Sequence, residues 1–416
     1  MNGKIDFFEY EQLGETREFI FGKKKVSMEV VKIPMEILSY NKKNGRIFLG
    51  VNKREKHGVN FEDLTQSEFN DEIEDIIWHY DKDKNKSTLA SIKEFGQLEI
   101  ALISDEKNII DGNRRFTCLR ELHRLYPEKD EYSYLKACVL DENIKKKNNI
   151  DKKDIKRFEL DVQFGKEEKA NYHVIDRVMS IYEEVKSKNL TISEIADDMN
   201  TSKGNIDQTV RTAEVIDGFL NHLKIEEKYY VVDKLDLVHP LVELAKYLKS
   251  TSAKDLPETE LNVRKNIFYE LVLGGDFSLP TQTLREGLVK KVYKNKDEQL
   301  SKDFVEEYEE TVAQDIYEFL EQLDYDEPKE AKDEFKKSHS AKTLNKLFVK
   351  YKERGGLKKT IEEQLNLAEK AKQALEEIDL NLFDKVTDDN SEITYLKLQK
   401  ILKDVNDITD KLINEF

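Results

Sequence analysis

Ile109-Ile110-Asp111-Gly112-Asn113-Arg114-Arg115 is a short apolar strand that stops at a glycine, and Phe116, Leu119, Leu122 and Leu125 follow at helical spacing. A strand that turns straight into a helix leaves backbone N–H groups unpaired at the helix start, with the positive end of the helix dipole behind them. Anions bind at such places. Gly112 permits the tight backbone and Asn113 is placed to cap the helix through its side chain. Arg114 and Arg115 add guanidinium groups suited to bidentate phosphate contacts. On these residues alone, an ordinary helix start with two solvated arginines is an equally good reading.

On the N-terminal side, Leu98, Ile100, Leu102 and Ile103 form a strand, and Asp105-Glu106-Lys107-Asn108 makes a hairpin-like turn into Ile109. Before it, Ser87 or Thr88 is expected to cap a helix carrying Leu89, Ile92 and Phe95 on one face, with Gly96 ending it. Further back, Val26 to Ile33 reads as a strand running through Ile33-Pro34 into a turn and a short helix, followed by the Asn-rich run Asn41 to Arg46. Residues 50 to 86 are polar and acidic apart from Ile76-Ile77-Trp78, and read as an insertion carrying a helix. On the C-terminal side, Pro127 stops the helix and Tyr134 to Leu140 is one more strand. From about Glu167 the pattern is helical, and Leu398, Ile401, Val405, Ile408 and Leu412 alternate spacings of three and four, as in a coiled-coil seam or a bundled helix.

The expected architecture is therefore an α+β N-terminal domain over 1–165, a helical domain over 166–250 and an α-helical C-terminal region over 251–416, helix-rich overall. A chain of 416 residues exceeds the size at which one core keeps growing. Apolar residues make up 38% and charged residues 37%. Nowhere do about 18 apolar residues run together, and Met1-Asn2-Gly3-Lys4 opens no secretory leader, so a cytoplasmic protein without membrane association is expected. Two cysteines, Cys118 and Cys138, are too few for a disulfide framework. The formal charge of -16 opposes broad nucleic-acid binding, because such binding draws on Lys and Arg neutralising phosphates, although an acidic total can coexist with one basic groove.

Four segments, Val31-Lys32-Ile33-Pro34, Asn41 to Arg46, Leu89 to Gly96 and Asp111 to Arg115, occur in the order found in ParB-like proteins. Over about residues 26 to 215 the chain resembles the ParB/sulfiredoxin superfamily. The resemblance implies that Gly112, Asn113, Arg114 and Arg115 lie against the phosphates of a nucleoside triphosphate, CTP in the partition proteins, with Arg46 bordering the same pocket. It also matches Leu160-Asp161-Val162-Gln163-Phe164 to the family's second phosphate and metal segment, so that Gln163 contacts phosphate and Asp161 is a ligand for Mg²⁺. The chain departs from the family in two places. Asn113 stands where the family carries Glu, and the second segment lacks its leading Glu and closing Arg, so binding is better supported than hydrolysis. Asn113 also stands where sulfiredoxins carry their reactive Cys, which disfavours that chemistry.

Leu190 to Ile206 fits a helix-turn-helix with Ala196 at the close interhelix contact and a small core of Ile195, Ala196, Ile206 and Val210. Thr201 or Ser202 caps the second helix, and Ser202, Lys203, Asn205, Gln208 and Arg211 are the candidate DNA contacts. In ParB such a motif follows the nucleotide domain at about this place. Locally Glu194, Asp197, Asp198 and Asp207 outnumber Lys203 and Arg211, which is poor for DNA, and the same geometry also serves purely for packing. The run Asp81-Lys82-Asp83-Lys84-Asn85 lacks the glycine and glutamate of an EF-hand. Glu99 with Asp105-Glu106-Lys107 is better explained as a turn than as a nuclease pattern.

Three functions follow. One is a nucleotide-gated DNA-binding protein whose C-terminal helices mediate association, including a homodimer. The second is an NTPase or nuclease effector of a mobile-element or phage-defence locus, with Asp161 and Asp111 catalytic and the acidic C-terminal region contacting a protein partner. The third is an interaction protein with a degenerate nucleotide pocket.

Overall fold

In the computed structural model of the chain, residues 9–42, 45–164, 174–378 and 389–415 are described. The chain divides into two units, Met1–Val349 and Lys350–Phe416. The first unit opens with a five-stranded sheet of order β1-β2-β5-β3-β4, formed by β1 (Gln12–Phe21), β2 (Lys24–Pro34), β3 (Ala101–Ser104), β4 (Ile109–Asp111) and β5 (Tyr134–Leu140). All neighbouring pairs are antiparallel except β3 with β5. The Asp105 to Asn108 turn closes the β3–β4 hairpin as expected, with Lys107 at φ 69°. Strand β1 was not legible in the sequence.

Side chains alternate across the sheet, so both faces are buried. On one face Val31, Ile33, Ala101, Ile103, Leu135, Ala137 and Val139 meet α2 (Gln66–Tyr80), α3 (Lys82–Phe95) and α4 (Asn113–Leu125) through Ile73, Ile76, Ile92, Phe116, Leu119 and Leu122, with α1 (Phe48–Lys56) adding Val51. On the other face Phe19, Phe21, Met28, Val30, Leu102, Cys138 and Leu140 pack against Ile150 and Phe158 of the segment that follows α5 (Glu142–Lys147) and forms α6 (Lys152–Phe164). The polar stretch 50–86 is thus more helical than expected. Its apolar residues are few because each helix buries only one side, and Asn70 holds the preceding loop by accepting from the Tyr40 amide at 3.1 Å and donating to the Leu38 carbonyl at 2.8 Å.

The helix expected from Ser87 or Thr88 instead begins at Lys82. Asp81 caps it by accepting from the Lys84 amide at 3.2 Å, and Gly96 ends it at φ 73°. A capping carboxylate satisfies a free amide as well as a hydroxyl does, so the charged run continues the helix.

Beyond α6 the described chain is helical, beginning with α7 (Val174–Lys186), α8 (Ile192–Asp198) and α9 (Lys203–His222). An α+β region followed by helices is the expected fold class. No described helix is long and apolar enough to cross a membrane. The second unit comprises the C-terminal part of the helix His339–Glu376 and the helix Asp389–Glu415, on which Ile401 and Ile408 are each 58% exposed and Leu398 and Val405 half-buried. The Leu412 side chain lies outside the described residues.

Candidate functional site

Gly112 sits at the N-cap of α4 with φ 114° and ψ 12°, a left-handed conformation that a side chain rarely adopts. A Cβ there would also lie 2.7 Å from the Ala101 Cβ, so glycine is required twice over. The first bond of the helix runs from the Phe116 amide to the Gly112 carbonyl at 2.9 Å, and no side chain caps the amides before it. Asn113 therefore does not perform the capping expected of it. It occupies the first helical position, from which its side chain cannot reach back to the next amides, and is instead buried at 7% exposure. Its Oδ1 has no hydrogen-bond partner among the described residues.

These residues open onto a cleft of about 510 Å³. Arg17 to Ile20 of β1, Ile110 to Arg115 and α6 residues Phe158, Glu159, Asp161 and Val162 line it, with Glu99 beside them. Of the expected site residues, Asp111, Gly112, Asn113, Arg114, Arg115 and Asp161 are brought together here although Asp161 is distant in sequence. The side chains of Arg46 and Gln163 lie outside the described residues. Arg17, Glu18, Glu99 and Glu159 were missed as lining residues. They come from a strand without apolar alternation and from helices and loops whose meeting depends on the sheet order.

The two arginines differ. Arg115 donates to Asp111 Oδ2 at 2.8 Å and to the Ile100 carbonyl at 2.9 Å, tying the turn to the residue before β3. Arg114 lies 3.9 Å from Asp81 Oδ2, too far for a hydrogen bond. Arg17 pairs with Glu99 at 3.2 Å, both largely exposed. Glu159 is 8% exposed, and burial raises its pKa against the opposing Lys156, whose Nζ is 3.0 Å away. Asn41, at the start of the Asn-rich run, donates to the other Glu159 oxygen at 3.0 Å. The Asp161 side chain makes no ion pair or hydrogen bond with the other described residues.

Among the described residues no three His, Cys, Asp or Glu side chains are arranged to hold a metal ion. A divalent cation in this cleft therefore needs oxygens from a ligand or water beside Asp161. Cys118 is fully buried with its thiol pushed up to about 12 by burial, and has no part in the cleft.

The pair α8 and α9 is joined by a turn in which Asn200 takes φ 47°, the left-handed position usually given to glycine. Leu160 of α6 packs with Ile181, Ile195, Ala196 and Ile206 in one small core, against which Val210 is partly buried. Ser202 caps α9 by accepting from the Asn205 amide at 3.2 Å, and the Asn205 amide nitrogen Nδ2 donates to Thr201 at 3.0 Å. Arg211 pairs with Asp207 at 3.1 Å. Lys203 is exposed, and Gln208 is half-buried with its Nε2 unpartnered among the described residues.

No family model and no curated protein matches the sequence. Among solved structures the chain is similar to the C-terminally truncated chromosome-partitioning protein ParB from Caulobacter crescentus complexed with CTP-gamma-S, at 15% identity and a TM-score of 0.20, over 52% of this chain and 92% of that one. A TM-score that low leaves the functional reading to rest on the geometry of the cleft.

Proposed function

We propose that the chain binds a nucleoside triphosphate, with CTP the first candidate, in the cleft at the start of α4, and that occupancy controls how α8 and α9 engage DNA. The observation that carries this reading is the glycine-opened start of α4, which no side chain of its N-cap residue caps and which lines the cleft together with Arg114. Phosphates satisfy the amides and Arg114. Mg²⁺ fits as an ion shared between Asp161, phosphate oxygens and water. Arg115 positions the turn and contributes field more than contact. Arg46 and Gln163 complete the reading as further phosphate ligands.

Helix α6 supplies the connection. It turns Phe158, Glu159, Asp161 and Val162 to the cleft and sends Leu160 and Arg157 to α8, where Arg157 pairs with Glu194 and Asp198, each at 3.1 Å. A ligand that draws Asp161 toward it changes the seating of α8. Ser202, Lys203, Asn205, Gln208 and Arg211 are the proposed DNA contacts, and the helices of 251–416 the proposed site of self-association or of a protein partner.

Thermal melts of the full chain with each of the four NTPs and Mg²⁺ test the reading, because a ligand that binds only the native state raises its stability. A rise with at least one nucleotide, lost in Arg114→Ala, is expected. No rise with any nucleotide at millimolar concentration overturns it. Asp161, its side chain unpaired among the described residues and lining the same cleft as Asp111, also favours a second reading in which the nucleotide is hydrolysed or DNA is cleaved. Phosphate release or DNA cleavage lost in Asp161→Ala distinguishes the two.

A further inference from the structure

A concentration of positive charge lies outside the candidate site. Residues 22–25 and 142–157 hold ten Lys and Arg against three carboxylates, Glu142, Asp151 and Asp154, in a chain whose total is -16. The two stretches meet at Lys24, whose Nζ donates to Asp154 Oδ2 at 2.6 Å and also to the Asn149 carbonyl. They form one surface, made of the β1–β2 turn and the connection between α5 and α6.

Its carboxylates are occupied. Asp154 is held by Lys24 and by the Asp151 amide at 3.0 Å, Asp151 caps α6 through the Asp154 amide at 2.9 Å, and Glu142 pairs with Lys145 at 3.3 Å. What remains unpaired among the described residues is cationic: Lys23, Lys146, Lys147 and Lys152, all exposed. A helix or turn decorated with unpaired lysines repels itself, and the arrangement becomes favourable against a polyanion.

The surface also adjoins the α8–α9 pair. Lys153 lies 3.9 Å from Glu194, and Arg157 bridges Glu194 and Asp198, while Arg211 and Lys249 hold Asp207. Three of the four acids that made this helix pair look unsuited to DNA are therefore neutralised internally.

We propose that Lys23, Lys146, Lys147 and Lys152 form a docking surface for the phosphate backbone of duplex DNA, continuous with α8 and α9. The surface supplies the sequence-independent attraction that the helix pair lacks. It rests on the reading above only for the choice of DNA among polyanions.

The test uses the full chain, a short mixed-sequence duplex, and anisotropy measured over a salt series. The variant Lys23→Gln, Lys146→Gln, Lys147→Gln, Lys152→Gln removes four unpartnered cations and leaves Lys24 in place, so a melting curve like the wild type's is expected. Binding is expected to weaken roughly tenfold or more at about 0.1 M salt, with the slope of log K against log salt shallower by about three to four. Equal affinity and slope in the wild type and a folded variant overturn the proposal. So does wild-type binding to anionic vesicles without binding to duplex. If the variant loses DNA while no nucleotide raises the melting temperature of either protein, the docking surface stands and the nucleotide reading fails. If the variant keeps DNA and loses none of its nucleotide response, the opposite holds.

Discussion

Arg115 holds Asp111 at 2.8 Å across the first turn of α4 while its other nitrogen reaches the Ile100 carbonyl at 2.9 Å, so the more C-terminal of the two adjacent arginines stabilises the turn it stands on. Arg114 makes no contact of that quality. The two alanine variants should therefore separate. Arg115→Ala is expected to cost about 1.5–3 kcal/mol of stability, the worth of hydrogen bonds to a charged group in a part-buried place. Arg114→Ala should change the melting temperature of the free protein little and abolish the shift produced by nucleotide. Equal loss of stability in both variants would show that the division of labour is wrong.

Gly112→Ala combines a strained φ with a Cβ placed 2.7 Å from Ala101 Cβ. A destabilisation of about 1–3 kcal/mol is expected for the backbone strain alone, with more for the contact. Denaturant unfolding measures it. Gly96→Ala tests strain without a contact: Gly96 has φ 73° and ψ -175°, a region essentially confined to glycine, and nothing within 4 Å of the added carbon. A loss in Gly112→Ala beyond the cost of strain, about 1–3 kcal/mol, reports the close approach of α4 to β3.

The elements around Gly112 were legible because their physics is local. Tyr134–Leu140 is buried on both faces and reads as an apolar run, and α4 shows its apolar stripe because one side lies on the sheet. Strand β1 was silent for the opposite reason. It pairs only with β2 at the sheet edge, and its exposed positions through Glu18 are glycine, polar or charged, so apart from Leu13 apolar character appears only from Phe19 to Phe21. The cleft was half legible in the same way. Asp111 to Arg115 are adjacent in sequence, whereas Arg17, Glu99 and Glu159 reach them only through the strand order and the path of α6 across the sheet. Nothing local to those residues marks them.

Cys118 and Cys138 are both fully buried, and burial pushes each thiol up to about 12. At pH 8 almost no thiolate is present in the folded chain, and the thiolate is the reactive form. Alkylation by iodoacetamide at pH 8 should label neither cysteine in the native protein and both after denaturation, read by mass spectrometry of the intact chain. Labelling of Cys118 at a rate near that of the unfolded chain would mean that α4 does not pack as described and would reopen thiol chemistry at this turn.

Glu270 is 2% exposed in the helical region, where Tyr308 donates to both of its oxygens at 2.8 Å and His222 Nε2 lies 3.2 Å from Oε1. Burial raises its pKa, and the contacts from His222 and Tyr308 only partly offset that. A carboxyl that holds its proton more tightly in the folded chain contributes stability below its unfolded pKa and loses it as pH rises through the folded value. The wild type should therefore lose stability upward from the ordinary carboxylate range, near 4.5. Glu270→Gln keeps an acceptor for Tyr308 and cannot ionise. Its melting temperature relative to the wild type should rise with pH across that window and level off above it. Glu270→Ala, which strands the Tyr308 hydroxyl, should instead lose about 1–3 kcal/mol at every pH. A glutamine variant whose deficit grows with pH would show that the ionised carboxylate, paired with His222, is the form this core stabilises.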